Sequence, residues 1–385
     1  MLVVFFGIMI GVGFYARKQA TDVNGFVLGG RSVGPWLTAF AYGTSYFSAV
    51  IFVGYAGQFG WKYGIASTWI GIGNAVLGSL IAWAVLGRRT RLITQKLDSR
   101  TMPEFFERRY NSKSLKLVSS LIIFVFLIPY TASLYNGLSR LFGMAFEIDY
   151  KVCVIAMAAL TGIYVIVGGY MATAINDFIQ GIIMLFGIVV VIAAVLKNYG
   201  GLTGALDKLA NVSDPAVSST PGVFASFLGP DIFNLVCVVI LTSLGTWGLP
   251  QMVQKFYAIK DEKSIRTGTV VSTFFAVIVA GGCYFLGGFG RLTDTDVAAE
   301  GFDAIIPHLL ECLPPILIGL VVILVLSASM STLSSLVLTS SSTLTIDFIK
   351  GTIVPKMSEK KQVLTMRIML VVFIAISAVI AIVQY

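Results

Sequence analysis

The sequence predicts an all-α polytopic membrane protein, and three observations carry that prediction. Of 385 residues, 57% are hydrophobic and only 12% are charged, and the mean hydropathy of +0.88 lies far above that of soluble globular chains. The apolar residues are gathered into stretches of about twenty, the length an α-helix needs to cross the hydrocarbon core of a bilayer. The positive charges, which leave a net +8, fall mainly in alternate connections between those stretches.

A short apolar run from Leu2 to Tyr15 opens the chain. A signal peptide carries its positive charge ahead of the run, whereas Arg17 and Lys18 follow this one, so it reads as a short first span. Longer runs follow near residues 34–57, 63–87, 115–139, 152–170, 174–196, 231–250, 268–290, 314–345 and 363–384. Together they make about ten spans. Between the third and fourth, TMPEFFERRY, opening at Thr101, reads as an amphipathic helix with proline near its first turn.

Basic residues cluster at Arg17, Lys18 and Arg31, through the connection from Arg88 to Lys116, at Lys255, Lys260, Lys263 and Arg266, and from Lys350 to Arg367. The intervening connections carry few. By the positive-inside pattern the basic loops are cytoplasmic and the N-terminus lies outside, in the plasma membrane. The charge is therefore topological, and no nucleic-acid partner is implied. The four cysteines have no CxxC spacing, so neither a disulfide framework nor a metal site is expected. His308 lies in an acidic connection with Asp294, Asp296, Glu300, Asp303 and Glu311, where an ordinary solvated histidine is expected over a proton relay. No paired carboxylates, nucleophile with base, or metal ligands occur at membrane depth, which argues against an enzyme.

Polar residues inside the spans point elsewhere. The string SASMSTLSS, residues 327–335, interrupts an apolar run. Ala328, Ser331 and Thr332 stand at i, i+3 and i+4, so one carbonyl and two hydroxyls can meet on one helix face. Neutral oxygens without a carboxylate suit a small hard cation such as sodium, although hydroxyls bonding back to their own helix are the ordinary alternative. Two spans also contain sequences that break helices. One reads FAYGTSYFSAVIFVGYAG, with Gly43, Thr44, Ser45 and Ser48, and the other ILTSLGTWGLPQ, with Gly245, Gly248 and Pro250. Paired breaks in corresponding spans of two repeats are a pointer to a transporter site. The first set of five spans runs over 34–197, and the second, over 231–385, stops one helix short, so a truncated chain is expected. Asp177 opens onto a long apolar span. A carboxylate favoured by a helix N-terminus and a functional intramembrane acid are both open readings there.

The runs GGRSVGPWLTAFAYGTSYFSAVIFVGYAGQFGWKYG, AINDFIQGIIML, TWGLPQMVQKF and SASMSTLSSLVLTSSSTLTIDFIK, in that order along the chain, resemble the sodium:solute symporter family. The first two are similar to its sodium/pantothenate branch and the last two to its sodium/proline branch. The resemblance implies an inverted five-helix-repeat, LeuT-like fold with one extra N-terminal helix, residues 1–16, lacking here the last core helix. It implies alternating access with sodium as the coupling ion and no other cofactor, and a small organic solute as the second partner, in the bilayer with no obligatory protein partner. Carried over by motif, the sodium ligands are the carbonyls of Thr44, Phe47 and Ala328 and the hydroxyls of Ser331 and Thr332. Asp177 takes the place of an aspartate serving a second cation site or its exit route. Tyr130, Thr246 and Pro250 fall at solute positions, with Ser45, Ser48, Trp247 and Gln251 as neighbours. Tyr46 stands where the proline branch has aspartate, so the expected solute is a carboxylate such as pantothenate or a monocarboxylate. The alternatives are a proline or amino-acid symporter and a sodium-responsive sensor on the same scaffold.

Overall fold

The computed structural model describes residues 1–146 and 148–384. The first helix, α1 (Leu2–Ala16), packs along a much longer one later in the chain, and Met9 is buried between them. Helix α2 (Pro35–Tyr46) starts on a proline whose missing N–H costs nothing there, and it stops where Phe47 turns extended, at φ −83° and ψ 118°. Helical geometry resumes in a wide turn over Val50–Tyr55 and runs into α3 (Ala56–Tyr63). Helix α4 (Thr68–Gly73) continues through further wide turns to Lys96. The amphipathic helix expected at Thr101 is α5 (Met102–Tyr110). Its start is fixed because the Thr101 hydroxyl accepts the Glu104 N–H and the Glu104 carboxylate accepts the Arg100 N–H.

Helix α6 spans Lys113–Phe146 and α7 spans Tyr150–Asn198. The 49 residues of α7 would be about 74 Å long if straight, more than twice the thickness of a hydrocarbon core. It turns at Gly169, whose φ of 56° and ψ of −146° are open to glycine, and so contains both expected spans, 152–170 and 174–196. A Cβ on Gly169 would lie 2.9 Å from the Phe26 carbonyl oxygen. Helices α8 (Ile232–Gly245) and α9 (Pro250–Ala258) form the second broken span, bent by 52°. Helix α10 covers Glu262–Gly287, α11 covers Pro315–Thr343 with a wide-turn extension to Ile353, and α12 covers Glu359–Gln384.

Among the described residues, seven helices are long and apolar enough to cross a membrane, or eight with the bent pair α8–α9 counted as one span. Helix α11 sits at the centre, buried from Val321 to Thr343 against α7, α6, α2 and α12. Its hydroxyls are therefore surrounded by protein. Phe126, Phe186 and Phe274 are exposed on the outside, as expected of surfaces solvated by lipid tails. Where α3 crosses α10 the backbones nearly touch, and a Cβ on Gly60 or Gly287 would run into the main chain of the other helix.

Candidate ion and solute site

The break after Tyr46 turns the carbonyls of Thr44 and Phe47 out of the helical ladder and toward α11. The Ser331 hydroxyl lies 3.2 Å from the Thr44 carbonyl oxygen and 3.1 Å from that of Ala328. The Thr332 hydroxyl lies 3.1 Å from Thr44 O, 3.2 Å from Phe47 O and 3.1 Å from Ala328 O. The five oxygens that the sequence picks out are thus gathered in one cluster, and all five residues are buried. Two hydroxyls offer only two protons to three carbonyls, so the cluster carries more acceptor capacity than its own donors fill. Calcium, a hard cation of similar size to sodium, holds oxygens at about 2.3–2.6 Å, which puts ligands at right angles about 3.3–3.7 Å apart. The observed separations are slightly tighter. Such a cluster can hold a small hard cation after an expansion of a few tenths of an ångström and rotation of the two hydroxyls.

Asp177 is fully buried and lies eight residues beyond the Gly169 turn, about two helical turns in. That removes it from the N-terminal turn, so the helix dipole does not account for it. Neither carboxylate oxygen accepts a hydrogen bond, but the Lys255 ammonium stands 3.6 Å away. Lys255 reads in the sequence as part of a basic loop. In the structure it is 2% exposed, because the bend at Leu249 carries α9 back into the protein. Its Nζ donates to the Ser335 hydroxyl at 2.9 Å, and Ser335 and Ser45 share a hydrogen bond of 2.9 Å. Ser45 in turn donates to the Ala41 carbonyl.

Beside the oxygen cluster is a narrow cavity between α2, α4, α10 and the α8–α9 break. The volume open to the centre of a water molecule is about 20 Å³, room for one or two waters. Of the expected solute residues, Thr246 lines it, with its hydroxyl donating to Ser243 O at 2.8 Å. Phe47 also lines it and so belongs to both cluster and cavity. Ser45 and Ser48 are buried at the break, where the Ser48 carbonyl accepts from Ile51 and Phe52. Gln251, one residue from the cavity-lining Met252, is buried with both polar side-chain atoms unpartnered. Tyr130 is half-buried against the core outside the lining, Trp247 donates to Leu77 O at 2.9 Å, and Pro250 begins α9 against a separate small pocket.

Sequence reasoning missed several lining residues: Tyr42, Asn74, Ser79 and Ser272. Ser79 and Ser272 share a 2.8 Å hydrogen bond, and Asn74 accepts from Ser243 at 3.0 Å while its amide nitrogen is unpartnered. An asparagine within the apolar run IGIGNAVLGSLIAW was the available signal. Outside the cavity lining, His308 is tied to Thr295 at 2.9 Å and to Glu300 at 3.2 Å.

A profile of the sodium:solute symporter family matches residues 26–385. The osmoregulated proline transporter OpuE of Bacillus subtilis is 28% identical over 390 residues, covering 98% of this chain and 76% of its own. A sodium/proline symporter of Staphylococcus aureus is 32% identical over 397 residues, covering 99% and 74%. This chain thus spans about three quarters of the length of these relatives. The solved structure of a Na+-coupled sialic acid symporter, in a substrate-bound outward-open state, superposes with a TM-score of 0.81 at 17% identity, over 100% of this chain and 81% of that one. Two broken helices, a buried hydroxyl-bearing core helix and a match along nearly the whole chain lead to one conclusion: this protein belongs to the sodium:solute symporter family and has its multi-pass, LeuT-like transporter fold.

Proposed function

We propose that this symporter uses inward movement of sodium, held by Thr44, Phe47, Ala328, Ser331 and Thr332, to import a small net-neutral solute of the proline class. The observation that carries the reading is the convergence of five neutral oxygens beside a cavity with no charged side chain in its lining. A solute with net charge would enter that lining without a counter-ion, at a high desolvation cost. A zwitterion brings its own. The narrowness of the cavity favours a compact solute over pantothenate, and the relatives bearing proline in their names agree. For the solute carboxylate, the N-terminus of α9, with the unpartnered Gln251 amide in its first turn, supplies donors and a favourable dipole.

Electrical energy is then fully available to the solute. One charge crossing 100 mV is worth about 2.3 kcal/mol, and about 1.4 kcal/mol is a tenfold concentration ratio. Sodium bridging α2 and α11 would tie the first repeat, residues 34–197, to the second, 231–385, with α1 as the extra helix. We place the basic loops in the cytoplasm and the N-terminus outside on the charge pattern. The carboxylate reading retains one argument, since Tyr46 and Tyr42 present aromatic walls in the cavity.

The test is uptake of labelled proline, pantothenate and short monocarboxylates into proteoliposomes, with and without an inward sodium gradient. Sodium-stimulated proline uptake is expected. Stimulation of pantothenate or a monocarboxylate alone replaces the neutral-solute reading with the carboxylate one. No stimulation of any, in protein that binds sodium, favours the sodium-responsive sensor.

A further inference from the structure

We infer that the Lys255 ammonium is a built-in cation that occupies the place beside Asp177 and so holds the transporter to one sodium ion per cycle. The inference rests on the sodium-symport reading above and deepens it. A carboxylate buried this completely stays ionised only beside a compensating positive charge. Among the described residues, the ammonium 3.6 Å from Asp177 Oδ2 is its one ion-pair partner.

The ammonium is also held on its other sides. It donates to Ser335 Oγ at 2.9 Å and lies 5.1 Å from the centre of the Tyr170 ring, whose π face favours a cation. Ser335 is one turn along α11 from Ser331 and Thr332, and it passes the hydrogen bond to Ser45, the neighbour of Thr44. One tethered charge therefore joins α2, α7, α9 and α11 immediately beside the oxygen cluster. A sodium ion added at Asp177 with Lys255 in place would stand a few ångströms from a like charge. At an effective dielectric of about 20 that repulsion lowers occupancy by roughly a thousandfold. With the pair neutral, only the ion in the five-oxygen cluster carries charge through the cycle.

The test counts sodium ions bound to the purified protein with radioactive sodium at equilibrium, with no solute added, so that the solute assignment plays no part. Wild type and Lys255→Arg are expected to bind one ion. Lys255→Gln is expected to bind two, and Lys255→Gln with Asp177→Asn one again. Thermal unfolding of each variant verifies that it is folded, and the ion retained in the cluster serves as an internal control. Two ions in the wild type, or one in folded Lys255→Gln, overturns the inference. A wild type that binds none overturns the five-oxygen assignment instead, and a single ion gained in Lys255→Gln and lost with Asp177→Asn would then still support the tethered cation.

Discussion

Asn74 lines the cavity with its carbonyl engaged by Ser243 and its amide N–H groups unspent. A buried donor without a partner costs about 1–3 kcal/mol, and a hydrogen bond to a charged group returns about 1.5–3 kcal/mol. Asn74→Ala is therefore expected to raise the solute KM by about tenfold or more, while sodium binding without solute stays unchanged. An unaltered KM in transport assays would remove Asn74 from the solute site. The legibility of single residues followed the same physics. Ser331 and Thr332 could be read from the sequence because helical spacing alone puts them on one face with the Ala328 carbonyl. Lys255 could not, because a lysine next to a basic loop normally extends to water, and its burial depends on the direction in which α9 leaves the bend. Asp177 was legible as a candidate, and its partner was not.

At the level of elements, both breaks were legible, since glycine and hydroxyl residues at membrane depth mark them and Pro250 starts the second half-helix. Segment counting was less secure. Apolar runs give the lengths of spans, but whether two runs form one bent helix depends on a single residue such as Gly169. Gly169→Ala places a Cβ at positive φ against Phe26, where strain alone costs about 1 kcal/mol or more. The expected result is a lower unfolding temperature in detergent and a reduced yield of folded protein. A variant as stable as wild type would show that α7 can turn here without glycine. The wide turns that follow α4 had no signal in the hydropathy pattern, because a π-turn changes hydrogen bonding without changing which residues are apolar.

For the whole molecule, the central claim is that an ion shell shared by α2 and α11 couples sodium to solute. Coupling requires that the ion favour one global arrangement over another, and a shell with its proposed ligands drawn from the broken helix α2 and the core helix α11 meets that requirement. The central position of α11 explains why its hydroxyls are tolerated at membrane depth, and Phe47, shared by the oxygen cluster and the cavity lining, sets the two side by side. The most direct measurement is the sodium concentration that half-saturates solute uptake in wild type and in the double variant Ser331→Ala, Thr332→Ala. Losing two oxygen ligands at about 1.5 kcal/mol each predicts an increase of roughly a hundredfold, at an unchanged level of protein in the membrane. The same half-saturating concentration in both would contradict the account and place the coupling ion elsewhere.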